Sequence, residues 1–245
     1  MEIIVFAMEC EISPLKNYFG NKVKFFSCGM KAKNLDFLKT LSANDHITNI
    51  GVCGGTHIGK LYLANKIIGD KTYYPDNLIK TEIPQTAVKT ISYLANTEEI
   101  KSNPDILFEQ EAAIIFKEAS KYIGPHQMSF LKIVSDSGLI ERNSIEIFVS
   151  ELIENKIPEI ENYINSSKAF FSSLSENTEP QNLEQYAQLL KCSVTMKNRL
   201  EAQLRYAQIT KIDVSDFFKN LNPITNKKQA LSTLEALDKY LIRWQ

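Results

Sequence analysis

The sequence predicts an α/β protein with a helical tail, because strand-like and helix-like patterns are distributed unevenly along the chain. Short runs rich in β-branched and other apolar residues indicate buried strands of a largely parallel sheet. These runs are residues 3–7, 23–28, 47–52 and 128–134. Stretches with helical spacing of apolar residues lie between several of them. Beyond residue 182 we find only helical spacing, so the sheet belongs to the first part of the chain.

The composition indicates a partner that is a small molecule or another protein. The 245 residues are 44% hydrophobic, which is enough for a sizeable core. The 28 basic and 29 acidic residues leave a net charge of -1, which gives no electrostatic attraction to nucleic acid or to an anionic membrane. The four cysteines and three histidines lack metal-site spacing, so no metal site is expected. Neither a secretion signal nor a membrane-spanning run is recognisable, and a cytoplasmic location is expected.

The first predicted strand leads into two glutamates. Residues 3–7 are continuously apolar, and Glu9 and Glu11 follow within four residues. Helical spacing of Ile12, Leu15 and Phe19 then predicts a helix that begins close to Glu11. Open α/β sheets bind ligands beyond the carboxyl ends of their strands. Glu11 is therefore either a ligand-binding carboxylate or a carboxylate that caps the helix.

Glycines follow the next two predicted strands. Gly29 is expected to open a helix that continues to Leu41, either as an anion-binding turn or as a plain connection. Gly54 and Gly55 lie in the segment with the most glycine, after the strand at 47–52. They permit a close approach of backbone to a ligand, or they simply turn the chain back over the sheet.

The middle of the chain is less regular. Strands are expected at residues 65–68, with a continuation at residues 73–74, and at residues 87–94. Residues 96–104 are polar and are expected to form a loop.

A second acidic region links a helix and a strand. A helix is predicted from Glu109 to about Ala119, and the strand at 128–134 is followed by Ser135 and Asp136. Glu109 and Glu111 are either site residues or an acidic first helical turn favoured by the helix dipole. Asp136 stands where such sheets bind ligands, and it could equally serve as a helix cap or turn residue.

The remaining chain is predicted to be helical. A helix over residues 144–164 should kink or divide at Pro158. Residues 166–181 are rich in Ser, Asn and Glu and are predicted to be a linker between an α/β domain at 1–165 and a helical extension at 182–245. The extension should contain helices over residues 183–204, 214–221 and 230–244.

Four segments, in this order, resemble the nucleoside phosphorylase/nucleosidase superfamily, most closely methylthioadenosine/S-adenosylhomocysteine nucleosidase. Residues 7–11 resemble a strand end followed by Met and three Glu, and residues 51–55 resemble a Gly-Ser-Ala-Gly-Gly turn. Residues 109–112 resemble a Glu-Met-Glu-Ala motif, and residues 132–136 resemble Arg-Ala-Ile-Ser-Asp. The resemblance covers about residues 1–165. It implies a phosphorylase/hydrolase-like three-layer sandwich with a mixed, largely parallel sheet, a purine nucleoside as ligand, no cofactor, and a homodimer.

The resemblance also assigns roles. It implies that Asp136 protonates or hydrogen-bonds the purine N7 and that Glu11 activates the attacking water; these are the predicted catalytic residues. The predicted substrate-binding residues are Glu111, which would hold the ribose hydroxyls, with Gln110, Ser135, Gly54, Gly55 and Lys132. Cleavage of an N-glycosidic bond develops positive charge on the sugar and negative charge on the base, and carboxyl groups on both sides stabilise this change.

Departures from the family pattern leave alternatives open. Gln110 replaces the methionine of the motif, and Lys132 replaces its arginine. Asn49 and Val52 stand where phosphorylases bind phosphate through an arginine and a serine. This favours water over phosphate as the nucleophile. The alternatives are a purine nucleoside phosphorylase and a catalytically degenerate nucleoside-binding or scaffold protein that acts through its helical tail. Among aromatic residues that could cover the base, the candidates are Tyr73, Tyr74 and Tyr93.

Overall fold

The computed structural model describes residues 1–42, 45–138, 145–175 and 180–242. Within these ranges the strands are β1 (Glu2–Phe6), β2 (Lys24–Ser27), β3 (His46–Gly54), β4 (Leu61–Ile68), β5 (Thr72–Tyr73), β6 (Gln85–Thr90), β7 (Ile106–Glu109) and β8 (Met128–Asp136). The helices are α1 (Glu9–Phe19), α2 (Thr97–Ser102), α3 (Ala112–Ala119), α4 (Ile145–Glu154), α5 (Ile157–Ser175), α6 (Leu183–Leu189), α7 (Val194–Thr210), α8 (Ser215–Lys219) and α9 (Lys227–Ile242).

The eight strands form one mixed sheet in which parallel pairs predominate. The parallel pairs are β1 with β2, β1 with β3, β3 with β8, β4 with β6, and β6 with β7. The antiparallel pairs are β3 with β7, β4 with β5, and β4 with β8. Gly54 pairs with Phe108, so β3, β8, β4, β6 and β7 close into a ring. This pairing brings the carboxyl ends of β3 and β7 together.

Both faces of the sheet are buried, which produces three layers. In β1, Ile3 and Val5 pack into a core shared with α3, whereas Ile4 and Phe6 pack into a second core shared with α1, α4 and α5. Successive side chains of a strand point to opposite faces, so a continuously apolar run is what a doubly covered strand requires. The predicted fold class, an α/β sandwich with a largely parallel mixed sheet and helices after it, is confirmed.

The helix predicted from Gly29 to Leu41 is wrong. The chain forms two short 3-10 turns instead, Met30–Ala32 and Asp36–Thr40. Lys31 and Ala32 have φ values of 59° and 47°. This left-handed conformation costs a residue with a Cβ about 1–2 kcal/mol and cannot continue a right-handed helix.

The loop predicted at residues 96–104 is also wrong, because it contains α2. The Asn96 side chain accepts a hydrogen bond from the backbone N–H of Glu99 at 2.9 Å and caps the helix. The Asn-x-x-Glu spacing is a helix-start signal. The predicted start of the next helix at Glu109 is displaced as well, since Glu109 ends β7 and α3 begins at Ala112.

The predicted helix over residues 144–164 divides as Pro158 implied. Its first part is α4, and its second part, α5, has Pro158 in its first turn. Residue 144 lies outside the described residues. α5 continues to Ser175, so residues 166–175 of the predicted linker are helical; residues 176–179 lie outside the described part of the chain.

A buried polar network explains why α5 continues into that polar stretch. Ser167 of α5 is fully buried, and its hydroxyl donates to Glu2 Oε2 at 2.9 Å. Nδ1 of His46 lies 3.0 Å from the same carboxylate oxygen, and Nε2 of His46 lies 3.1 Å from Ser129 Oγ. Tyr163 completes the network through a 2.6 Å contact with Ser129 Oγ. Polar residues that suggested a linker therefore join α5 to the amino ends of β1, β3 and β8.

The carboxyl-terminal helices have a core of their own. The single helix predicted at residues 183–204 is two helices, α6 and α7, which are separated at Cys192 and Ser193. The short helix and the last helix are present as α8 and α9, and residue 244 lies outside the described residues. Apolar side chains from α6, α7, α8 and α9 form one cluster. The division into domains at 1–165 and 182–245 stays a prediction.

The extension contacts the α/β part at a buried histidine. The ring of His126 lies 5.3 Å from the ring of Tyr206 in α7 and 6.2 Å from that of Phe171 in α5. Within the described residues, Nδ1 of His126 has no hydrogen-bond partner. Burial, with smaller contributions from the charges of His46 and Arg205, lowers the pKa of His126 to about 3.

Acidification should weaken this contact. The usual histidine pKa is 6.5, so the unfolded chain binds a proton below that pH while the folded protein excludes it. The free energy of unfolding is therefore unaffected by His126 above pH 6.5. It decreases as the pH falls from 6.5 toward 3, because only the unfolded chain then binds the proton. From pH 8 to pH 5, the wild type should lose about 2 kcal/mol more unfolding free energy than His126→Phe. Urea unfolding at both pH values measures this difference. Exposed His57→Gln serves as the control, and an identical pH dependence for wild type and His126→Phe would contradict the prediction.

Candidate active site

A cleft of about 340 Å³ opens where β1, β3, β7 and β8 end. Six of the eight predicted site residues line it: Glu11, Gly54, Gln110, Glu111, Ser135 and Asp136. Gly55 and Lys132 are not among the lining residues. Carboxylates from α1, from the start of α3 and from the end of β8 therefore meet in one place, as the ligand-site rule for such sheets predicts.

Three backbone donors hold the Glu11 carboxylate. Its Oε2 accepts hydrogen bonds from the N–H groups of Ala7 at 3.0 Å and Met8 at 2.8 Å, and its Oε1 accepts one from Val52 at 2.9 Å. Burial raises the pKa of Glu11, against the lowering effect of these donors and of Lys132. A buried carboxylate with an elevated pKa and a fixed orientation suits a general base. The capping interpretation of Glu11 is confirmed, because it lies in the first turn of α1 and accepts the N–H of Met8. It also lines the cleft, and its ligand-binding role stays a prediction.

The Glu11 carboxylate occupies space that a side chain at position 51 would fill. A methyl group on Gly51 would lie 2.8 Å from Glu11 Oε1. Gly51→Ala should therefore displace the carboxylate and destabilise the protein by about 1–3 kcal/mol. Urea unfolding measures this loss. In a Glu11→Ala background, which has no carboxylate beside Gly51, the same substitution should cost clearly less; an equal cost in both backgrounds would contradict the steric explanation.

Glu111 is held by the loop that follows β2. Its Oε1 accepts a 2.9 Å hydrogen bond from the backbone N–H of Lys31. Lys31 adopts the left-handed conformation, so strain in this loop directs an N–H group at a site carboxylate. The turn after Gly29 therefore does bind an anionic group, but this group is the Glu111 carboxylate of the protein itself. Burial raises the pKa of Glu111, and Lys132 counteracts that effect.

Glu109 caps α3. Its Oε2 accepts hydrogen bonds from the N–H groups of Glu111 at 2.9 Å and Ala112 at 2.8 Å, and its Oε1 accepts one from the Thr90 hydroxyl at 2.6 Å. Thr90 Oγ1 in turn accepts from the N–H of Ala113. The first turn of α3 contains no acidic residue, so the acidic first-turn interpretation of Glu109 and Glu111 is wrong. Glu109 instead reaches the helix start from the end of β7 and accepts hydrogen bonds from its free N–H groups.

Asp136 can be accommodated in either protonation state. Its Oδ1 accepts from the N–H of Gly138 at 2.9 Å, and its Oδ2 lies 2.9 Å from Ser135 Oγ. The Ser135 hydroxyl also lies 3.3 Å from the carbonyl oxygen of Cys53. A hydroxyl has one proton, so Ser135 donates to ionised Asp136, or accepts from protonated Asp136 while donating to Cys53. This arrangement fits a group that exchanges a proton.

The two glycines have different surroundings. A methyl group on Gly54 would make a tight contact of 3.2 Å with Ile100 Cδ1 and an ordinary contact of 3.6 Å with Asp136 Oδ1, so Gly54 leaves room mainly for the Ile100 side chain. A methyl group on Gly55 would instead lie 2.8 Å from Leu107 Cδ2. Gly55 thus permits close packing in the interior, away from the cleft.

Gln110 attaches a neighbouring segment to the site. Its Nε2 donates to the carbonyl oxygen of Tyr93 at 3.1 Å. Tyr93 lines the cleft, and its hydroxyl donates to Glu99 at 2.9 Å. Of the three tyrosines considered for covering a base, Tyr73 packs on Phe116 and Tyr74 is not a lining residue. Tyr93 is therefore the aromatic candidate that the structure places at the cleft.

Sequence reasoning missed much of the cleft wall. Lining side chains that it did not single out include Met8, Cys10, Met30, Ile91, Leu94, Phe108, Ile145, Glu146 and Val149. Met30 and Leu94 are 61% and 66% exposed, so they offer apolar surface to a ligand. Ile145, Glu146 and Val149 belong to α4, and the others lie near strand ends, but single residues at such positions carry no distinctive pattern.

Among the residues that the structure describes, no group of three His, Cys, Asp or Glu side chains could hold a metal ion. None of the described helices is both long enough and apolar enough to cross a bilayer.

Three solved structures resemble the chain over two thirds of its length. The methylthioadenosine/S-adenosylhomocysteine nucleosidase of Helicobacter pylori, in complex with butyl-thio-DADMe-Immucillin-A, has a TM-score of 0.51 and 12% identity over 67% of this chain and 97% of its own. The native futalosine hydrolase of Helicobacter pylori has a TM-score of 0.52 and 13% identity over 67% and 97%. This chain has a nucleosidase-type fold.

A third structure resembles the chain over about the same share of its length. An MTAN variant from Chlamydia trachomatis, bound to MTA, has a TM-score of 0.50 and 15% identity over 66% of this chain and 98% of its own. No protein-family model matches the sequence, and the search of curated proteins finds no match. At these identities the similarity establishes the nucleosidase-type fold. About a third of the present chain has no counterpart in these structures.

Proposed function

We propose that this protein is an N-ribosyl hydrolase that cleaves the glycosidic bond of a purine nucleoside such as methylthioadenosine or S-adenosylhomocysteine. The observation that carries the proposal is the convergence of Glu11, Glu111 and Asp136 on one cleft of a nucleosidase-type fold. Structural neighbours with ligands support it: one holds an immucillin and another holds MTA.

The geometry supports a division of labour among the three carboxyl groups. Asp136 exchanges hydrogen bonds with Ser135 and can carry the proton that the purine needs as it leaves. Glu111 Oε1 accepts the N–H of Lys31 at 2.9 Å, and the N–H of Gln110 approaches Oε2 at the longer distance of 3.3 Å. Oε2 is therefore the oxygen that binds the ribose hydroxyls. Glu11 orients and deprotonates water, and the two glutamates stabilise positive charge on the sugar.

Water is favoured over phosphate because the described cleft wall is acidic. Five acidic side chains line it: Glu11, Glu109, Glu111, Asp136 and Glu146. No Lys, Arg or His is among the described lining residues. Asn49 is engaged with Val5 and Lys132, and Val52 has no hydroxyl. A phosphate dianion would face repulsion from the carboxylates without a compensating cation.

Incubation with a panel of purine nucleosides, with and without phosphate, tests the proposal. We expect free base and free sugar without phosphate, at a rate that phosphate does not raise. Release of base only with phosphate would establish a phosphorylase instead. Thermal stabilisation by adenine without turnover of any nucleoside would favour a nucleoside-binding protein that lacks catalysis. The homodimer and the cytoplasmic location stay predictions from the sequence.

A further inference from the structure

One buried cation lies behind the carboxylates of the cleft. Lys132, in β8, is 1% exposed and does not line the cleft. Its Nζ donates to Asn49 Oδ1 at 2.8 Å and to Glu109 Oε2 at 3.0 Å. A substrate in the cleft therefore has no direct access to this ammonium group, in contrast to the substrate-binding role that the sequence suggested for it.

Each partner of Lys132 leads to one site carboxylate. Glu109 accepts the N–H of Glu111 at 2.9 Å and so fixes the start of α3. Asn49 donates through Nδ2 to the carbonyl oxygen of Val5 at 3.0 Å. Val5 lies two residues before Ala7, whose N–H holds Glu11. Polar contacts thus link Lys132 to the start of α3, which carries Glu111, and to β1, the strand that leads into the helix carrying Glu11.

The charges around Lys132 are unequal. Burial alone would lower the pKa of Lys132, but Glu109, Glu111 and Glu11 together raise it. Burial raises the pKa of Glu11 and of Glu111, and the charge of Lys132 opposes this in both. The charge of Lys132 also lowers the pKa of the Cys28 and Cys53 thiols, but burial raises both pKa values by more, so these thiols stay neutral. One buried ammonium group therefore faces the buried carboxylates of Glu11 and Glu109 and the half-buried carboxylate of Glu111.

We propose that Lys132 is a positioning residue: through Glu109 and Asn49 it holds the Glu111 and Glu11 carboxylates in place, and its charge balances theirs without contact with the substrate. The consequence for catalysis rests on the proposed hydrolase function. The consequence for the two carboxylates does not, because it concerns the protein without substrate.

The first test is the pH profile of kcat/KM for Lys132→Met. The acidic limb reports ionisation of Glu11, and loss of the cation should move it upward by about one pH unit. At pH values below the limb, the ionised fraction of Glu11 should be about tenfold lower in Lys132→Met than in the wild type. The resulting deficit in kcat/KM should shrink as the pH rises. A purely structural role would give a deficit that does not change with pH, and that result would overturn the proposal.

A matched control is available on the surface. Lys117 pairs with Asp70 at 2.7 Å, and both side chains are more than half exposed. Lys117→Met should leave the profile within about 0.2 pH units of the wild type, because screened surface pairs have small effects. Lys132→Arg keeps the positive charge and should restore the position of the limb.

The second test needs no catalysis. In protein with ¹³C-labelled glutamate carboxyl groups, the Glu11 and Glu111 signals, assigned with Glu11→Gln and Glu111→Gln, should titrate at higher pH in Lys132→Met than in Lys117→Met. If Lys132→Met does not fold, Glu109→Gln/Lys132→Met removes both charges of the pair. Glu11 should then still titrate at higher pH, whereas the Glu111 shift should be smaller, because Glu109 itself raises the pKa of Glu111. Unchanged titrations would overturn the proposal. Shifted titrations in a protein that hydrolyses no nucleoside would support it and reject the hydrolase function instead.

Discussion

Asp136→Asn should lower kcat for nucleoside hydrolysis by about 10²–10⁴-fold, because an amide cannot deliver a proton to the departing purine. The substitution is nearly isosteric. The amide oxygen can still accept from Gly138, as Oδ1 of Asp136 does at 2.9 Å, so the loop after β8 should keep its shape. Single-turnover measurement of base release from methylthioadenosine, with circular dichroism as the check on folding, gives the effect on the chemical step.

Asp70→Asn is the control for Asp136→Asn. Asp70 is an exposed aspartate that pairs with Lys117 outside the cleft, and its replacement should leave kcat within about twofold of the wild type. If Asp136→Asn retained a rate comparable to that of the control, Asp136 would not be the general acid. Substrate binding should persist in Asp136→Asn, since the rest of the cleft is unchanged.

Glu11→Gln is the second substitution with a large expected effect. It removes the proposed base, and the expected fall in kcat is again about 10²–10⁴-fold. It should also destabilise the protein by about 1–3 kcal/mol, because three backbone N–H groups point at the carboxylate and an amide nitrogen cannot accept from them. Rate measurements and urea unfolding on the same preparation separate the two effects.

Glu9→Gln is a matched control for Glu11→Gln on the same helix. The Glu9 side chain is 66% exposed and pairs with Lys16 at 2.7 Å. Glu9→Gln should leave rate and stability nearly unchanged, and equal losses in the two variants would refute a specific role for Glu11. In the wild type, burial raises the pKa of Glu11 above the ordinary 4.5. The rate should therefore rise with pH through a limb above 4.5 and should lose this limb in Glu11→Gln.

The carboxylates that line the cleft could be predicted from the sequence where they follow a buried strand. Glu11 and Asp136 each follow a recognisable buried strand, and a parallel sheet gathers such positions at one edge. Glu109 shows the limit of this reasoning. Its spacing fits a ligand-binding carboxylate as well as a helix cap, and only its contacts with the N–H groups of Glu111 and Ala112 identify the cap.

Errors in the predicted fold arose where distant contacts override local pattern. Polar residues suggested that the chain from 166 onward was a linker, yet Ser167 is buried because Glu2, far away in sequence, accepts its hydrogen bond. Lys31 and Ala32 have good helix propensity, yet the loop adopts left-handed conformations that direct the Lys31 N–H at Glu111.

The sequence by itself determined the layer architecture and the acidic character of the site, because continuous apolar runs require burial on both faces and the carboxylates follow those runs. Only the tertiary structure decided which carboxylates lie together in one cleft. Glu11 and Glu111 reach the same cleft because strand pairing closes the sheet and brings the end of β3 to β7. The same closure encloses Lys132 between Asn49 and Glu109, a placement that no local pattern around residue 132 contains.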